Sequence, residues 1–199
     1  MKKVFKTLFV LMCGLVMTTS FLSCGSDDKD DNTNQPPTPE FKGIGAIYTI
    51  SVTEQMAKLC DYTVTYYAKN NVLANEKMTW KIENGVATWE KEVSSIVMPA
   101  TFGVKISLKI KDDAQLSGVT INNFNFEKTV LYMEGITTDE KMVWKKTYDF
   151  SNGLGKVGCT GEKLASYIAT IENKNNGTML NQSYSIDKTG SIVSSGAIE

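Results

Sequence analysis

The residues able to do chemistry here are few in kind. The chain of 199 residues contains no histidine, and all 21 of its basic residues are lysine. Without imidazole there is no Ser-His-Asp or Cys-His nucleophile, no histidine acid–base work and no His-ligated metal. A histidine switch near neutral pH is equally excluded. Without arginine there is no bidentate fork for phosphate or planar carboxylate. Carboxylate-pair, Ser-Lys and tyrosine chemistry survive. The pool for a carboxylate pair is Asp61, Glu83, Glu90, Glu127 and Glu134. Two of these flanking a glycosidic bond would make a hydrolase. None stands in a motif, and charged residues on strand faces are usually solvated. The reading is a non-enzyme, with no catalytic residue and no cofactor. Of the four cysteines, Cys13, Cys24, Cys60 and Cys159, too few remain together for a zinc site, so no metal is expected.

Cys24 is the one cysteine in a chemically meaningful setting. Lys2, Lys3 and Lys6 form a basic head, and an apolar run from Leu8 to Leu22 follows. The run is short for a membrane span, which needs ~20 apolar residues, and its flanks are those of a cleaved signal. Leu22-Ser23-Cys24 resembles a lipobox: a branched apolar residue, a small residue, then the thiol that is acylated. The resemblance implies a lipoprotein signal peptide over 1–23, which removes Cys13, and a mature chain starting at lipidated Cys24. Each buried methylene contributes ~0.8 kcal/mol, so a multi-chain lipid anchor holds firmly. Residues 24–40 then read as an acidic, Pro-rich tether. They carry Asp27, Asp28, Asp30 and Asp31, then Pro36, Pro37 and Pro39, and nothing that can anchor a core. The acidic run resembles the export signal of Bacteroidetes lipoproteins that face outward from the outer membrane. The alternative is a plain linker on a periplasm-facing protein. A calcium loop over Asp28–Asn34 is rejected, since the required glycine and distal glutamate are missing.

Past the signal, 18 lysines stand against 22 acids, a net charge of −4. A mildly acidic chain is a poor match for nucleic acid, which needs clustered positive charge. Residues 41–199 suit one β-rich domain, with 41–112 and 113–199 as its alternative halves. Cys60 and Cys159 are either a disulfide, which an exported compartment permits, or two packed thiols.

Strand patterns fill this domain. Phe102, Val104, Ile106, Leu108 and Ile110 alternate with polar or small residues, and Cys60, Tyr62, Val64 and Tyr66 do the same. Ile44–Val52 sets Tyr48, Ile50 and Val52 on one side. Asn84-Gly85 predicts a type I′ hairpin, with Glu83 facing Val86, Lys81 facing Thr88 and Trp80 facing Trp89. Continued outward, this register puts Lys77 opposite Glu92, with Met78, Trp80, Ile82, Ala87 and Trp89 on one face. Strands are also expected at 119–126, 129–133 and 142–150, with a break at Asn152-Gly153. Leu164, Tyr167, Ile168 and Ile171 recur at helical spacing, with Thr160 as cap and Asn176-Gly177 as stop. A last hairpin over 178–193 turns at Asp187–Gly190. Lys105, Lys109 and Lys111 read as a basic strip, either a lysine-guarded sheet edge or a contact for acidic polysaccharide or lipid headgroups.

Tyr48–Val52, Asp61–Tyr66, Thr88–Val93 and Pro99–Ile106 together resemble the Ig-like sandwich domain of small Bacteroidales outer-membrane lipoproteins. Val119–Phe126 and the late helix resemble calycin-type lipoproteins instead. The fold expected is therefore mainly β: an antiparallel β-sandwich, Ig-like, with one late amphipathic helix. The alternative is a calycin-like β-barrel with a C-terminal helix, carrying a small apolar ligand. The function expected is a lipid-anchored binding module for glycan or a surface protein. Sugar rings favour aromatic platforms, for which Tyr67, Trp144, Trp80, Trp89 and Tyr66 are the candidates, although aromatics at alternating strand positions are more often core.

Overall fold

The computed structural model describes residues 41–137, 142–150, 155–175 and 177–199. The signal segment, Cys24 and the tether lie outside them, as do Asn152-Gly153 and Asn176. Two five-stranded antiparallel sheets form the fold. The first holds β1 (Phe41–Thr53), β4 (Lys81–Glu83), β5 (Val86–Ser95), β8 (Lys128–Thr137) and β9 (Met142–Asp149), in the order β4-β5-β1-β8-β9. The second holds β2 (Cys60–Tyr67), β3 (Leu73–Lys77), β6 (Ala100–Ile110), β11 (Leu180–Ile186) and β12 (Ile192–Gly196), in the order β12-β11-β6-β2-β3. A small ribbon pairs β7 (Thr120–Ile121) with β10 (Cys159–Thr160). Helix α1 (Glu54–Leu59) carries the chain from the first sheet to the second, and α2 (Gly161–Lys174) comes late.

The alternation decides the layers. Ala46, Tyr48, Ile50 and Val52 of β1 are buried, as are Phe102, Val104 and Ile106 of β6. Each large apolar side chain so buried contributes roughly 1.5–3 kcal/mol. Their side chains fill the space between the sheets, and both sheets end in separate edges. The barrel alternative is thus overturned: the sheets do not close. Tyr48 also pins the layers together. From the first sheet its hydroxyl donates to the Tyr67 carbonyl (3.1 Å) and accepts the Gly103 N–H (2.9 Å), both in the second.

The Asn84-Gly85 turn forms as expected, with φ of 50° and 80° and the register Lys81↔Thr88, Ile82↔Ala87, Glu83↔Val86. Its outer continuation does not. β3 pairs with β2 of the second sheet, placing Lys77 opposite Thr63, not Glu92. The chain changes sheets across Met78–Trp80, making a corner. The cause is apolar: Met78 is buried, and the Trp80 ring stands edge-on to Tyr62 at 5.2 Å. Trp89 turns to Tyr66 (5.6 Å) and Tyr48 (6.4 Å) instead.

Three further expectations change. The 119–126 strand is only β7; beyond it the chain bends, because Phe124 and Phe126 are both buried alongside Asn123 and Asn125. Those asparagines satisfy backbone groups: Asn123 Oδ1 accepts the Val157 and Asn125 N–H groups, and Asn125 donates to the Gly155 carbonyl. Second, β6 is no edge. It lies between β2 and β11, so its lysines guard nothing. Lys109 pairs with Asp112, and Lys111 donates to the Ala57 and Lys58 carbonyls. Third, α2 buries Leu164 and Ile168 as its period predicts, but Tyr167 lies at the border, stacked on Phe124 at 5.4 Å. Thr160 occupies the cap position without a side-chain cap bond, while Gly177, at φ 79°, ends the helix by donating to the Glu172 carbonyl.

Candidate functional site

Of the aromatic candidates, Trp89 and Tyr66 meet in the core, their ring centres 5.6 Å apart. Trp89 is buried, and its indole N–H donates to Glu76 at 3.1 Å. Tyr66 is buried too, and its hydroxyl donates to Glu76 at 3.2 Å. Neither offers a face to a sugar. Trp80 is half-buried against Tyr62. Tyr67 is half-buried on the outer side of β2, in phase with Asp61, Thr63 and Thr65. Trp144 is half-buried beside the Phe41 ring at 5.6 Å. Its indole lies where a Cβ on Gly190 would fall (2.8 Å), so Trp144 is fixed by close approach to backbone.

Glu76 and Lys91 are the residues that sequence reading missed. Glu76 alternates in phase with Ala74 and Met78, so it points inward from the edge strand β3. Lys91 shares the inward phase of Trp89 on β5, and its ammonium meets Glu76 at 2.9 Å. Lys91 also lies 5.5 Å from the Tyr66 ring centre. Burial works to raise the Glu76 pKa, but hydrogen bonds from Lys91, Trp89 and Tyr66 and the Lys91 charge outweigh it, holding the carboxyl below its usual value. The signal available beforehand was an acid in phase with Met78 and a lysine in phase with Trp89. The cluster ties β3 of one sheet to β5 of the other, a structural task.

Four of the five acids of the pool stand in ion pairs, and the fifth, Glu90, acts on Lys81, the partner of Glu83. Asp61 pairs with Lys77 at 2.8 Å, Glu83 with Lys81 at 2.9 Å and Glu127 with Lys156 at 3.2 Å. Glu134 accepts from the Tyr132 hydroxyl and has Lys145 at 3.7 Å. Glu90 is exposed on β5. Burial and the Glu134 contact push the Tyr132 hydroxyl up to about 12. Among the described residues no group of three or more Cys, Asp or Glu could hold a metal ion.

Cys60 and Cys159 are both free, which corrects the disulfide alternative. They belong to different sheets: Cys60 pairs with Ile110 of β6, and Cys159 with Ile121 of β7. Burial is the main cause that pushes the Cys60 thiol up to about 12, with Asp61 adding and Lys111 opposing. Cys159, half-buried, is raised by burial alone.

The described residues form an open cleft of about 610 Å³ at β6 and β11 of the second sheet. Lys105 and Asn181, paired across β6 and β11, line it together with Phe150, Asn175, Met179 and Glu199. Asn181 grips the last residues, donating to the Ile198 carbonyl (2.9 Å) and accepting its N–H (2.7 Å). The lining therefore mixes an ammonium, amides and a carboxylate with apolar Phe150 and Met179. A cleft of this size and mixture suits a small polar ligand or a chain end, within the roughly 300–1,000 Å³ of ordinary ligand sites. It gathers residues from four separate stretches of chain, which no local pattern could announce. Comparison with protein-family models, with curated proteins and with solved structures finds no match for this chain.

Proposed function

We propose that this chain is a lipid-anchored cell-envelope protein, joined through Cys24 to the outer membrane of a Bacteroidales-type bacterium. Its sandwich serves as a non-catalytic binding module for a glycan or a protein partner. One observation carries the reading: Leu22-Ser23-Cys24 stands at the end of a basic head and a short apolar run, directly before an acidic spacer. Binding is supported by the cleft at Lys105 and Asn181. The absence of histidine from the sequence and the separate ion pairs of the acid pool favour binding over turnover.

The test has two arms. Cells expressing the chain are labelled with palmitate, then treated intact with protease. Label on the native chain but not on Cys24→Ala, with loss of the domain from intact cells, is expected of an outward-facing lipoprotein. Label on Cys24→Ala overturns the anchor, and full protection places the domain in the periplasm. Glycan and peptide arrays are then probed with the native chain and with Lys105→Ala. Loss of a native signal in the variant supports the cleft as the binding site; identical signals rule it out.

A further inference from the structure

Of the ten exposed large apolar side chains among the described residues, Ile82 and Val86 flank the Asn84-Gly85 turn, Ile192 and Val193 lie on β12, and four gather at one end of the sheets. Val72 and Leu73, where a loop enters β3, and Ile96 and Val97, in the loop after β5, are 63%, 46%, 69% and 46% exposed. The loops are laced together by two asparagines at positive φ. Asn70 Oδ1 accepts the Ile96 N–H (3.0 Å), while Asn71 Oδ1 accepts the Thr101 N–H (2.8 Å) and Asn71 donates to the Pro99 carbonyl (2.9 Å). The four aliphatic residues are thus presented on a braced tip instead of folding inward. Single exposed apolar residues need no explanation, but a cluster does.

The tip lies where the chain enters the domain. Ile44 pairs with Ser95, so the start of β1 runs beside the end of β5. A Cβ on Gly43 would meet the Ile96 Cγ2 at 3.2 Å, two residues from Phe41, where the described chain begins. Residues 25–40 are all that separate this end from Cys24. Fully extended, that stretch reaches at most roughly 55 Å, so an anchor at Cys24 bounds how far this end can stand from the bilayer. Residues 68–73 and 96–99 carry one charge, Lys69, and no acid. An exposed ammonium beside aliphatic side chains suits anionic headgroups over an apolar layer.

We infer that the tip formed by Val72, Leu73, Ile96 and Val97 docks into the headgroup region of the bilayer that anchors the protein. The inference rests on the proposed lipidation of Cys24. It adds an orientation: the entry end faces the membrane, and the far end, with the hairpin turn at Asn84-Gly85 and helix α2, faces away.

The full chain, extracted from membranes, is reconstituted into vesicles of phosphatidylethanolamine and phosphatidylglycerol and followed by amide hydrogen exchange. Exchange over 70–73 and 95–98 should slow several-fold relative to the same chain in detergent. The double variant Ile96→Ser/Val97→Ser should remain vesicle-bound yet lose that slowing. Its exchange elsewhere should match the native chain, which shows that it folds. A vesicle-bound chain with no slowing at the tip overturns docking and leaves the anchor standing. A chain that does not stay with vesicles overturns both. Slowing that appears only at high protein-to-lipid ratio marks a second copy as the occupant. Slowing in intact cells but not in vesicles marks a protein partner. Either result overturns bilayer docking.

Discussion

Two tyrosine hydroxyls set side by side show how differently a buried polar atom can act. The Tyr48 hydroxyl is bonded on both sides, to the Tyr67 carbonyl and the Gly103 N–H. Burial drives its pKa far above the usual value. Tyr48→Phe leaves the Gly103 N–H without its partner, at a cost of about 1–3 kcal/mol. The Tyr62 hydroxyl is equally buried but has no partner among the described residues. Tyr62→Phe removes an unsatisfied group, so the change should be neutral or stabilising by up to about 1 kcal/mol. Urea midpoints of the two variants check the pair; equal losses would refute the distinction. The thiols follow similar logic. Cys60, with its pKa raised to about 12 by burial, should resist iodoacetamide at pH 8 until the chain unfolds. Mass spectrometry should find Cys159 modified first and no bond between the two. The burial of Tyr48, Tyr62 and Phe102 was legible because alternation reports which face is dry. The partners of a hydroxyl were not, because Tyr48 and Gly103 are far apart in sequence and meet only when the sheets stack.

Elements obey local rules until an apolar side chain finds a better place. The Asn84-Gly85 turn and its first three residue pairs followed from two residues with left-handed backbone. Extrapolating that register failed at Met78–Trp80, where burying Met78 and seating Trp80 on Tyr62 draws the strand into the other sheet. A ladder register carries no information about such a crossing. The seam it creates is held by Glu76 and Lys91. The folded Glu76 pKa lies below its ordinary value of 4.5 despite the opposing pull of burial, because Lys91, Trp89 and Tyr66 bond the charged form. The unfolded chain therefore binds more protons as pH falls below about 4.5. The stability contributed by Glu76 is complete above that pH and is lost as pH drops through the folded value. Glu76→Gln should cost about 1 kcal/mol at pH 7, since the pair is partly exposed. It should also flatten the fall in melting temperature between pH 5 and 3. A variant as acid-sensitive as the native chain would show that other carboxylates dominate.

At the scale of the whole molecule, sequence order and spatial order are thoroughly mixed. Residues 41–112 look self-sufficient in one dimension, because their strands alternate cleanly and end in a polar turn. In space their partners come from later in the chain. β1 is flanked by β5 and by β8, and β6 by β2 and β11, so each sheet is built from both halves. Tyr48 of β1 touches Gly103 of β6, while Leu131 and Met133 of β8 are buried in the same core. Cutting after residue 112 would strip a neighbour from β1 and another from β6, exposing unpaired backbone and apolar side chains at once. The 41–112 fragment should therefore lack a cooperative transition, giving a sloping urea curve and rapid amide exchange. The intact chain should unfold in one step. Its tryptophans sample three places: Trp89 in the core, Trp80 at the corner and Trp144 beside Phe41. Their combined fluorescence and the far-ultraviolet circular dichroism should then give coincident urea midpoints. Separated midpoints, or a fragment that folds alone, would mean that the shared sheets do not couple the halves.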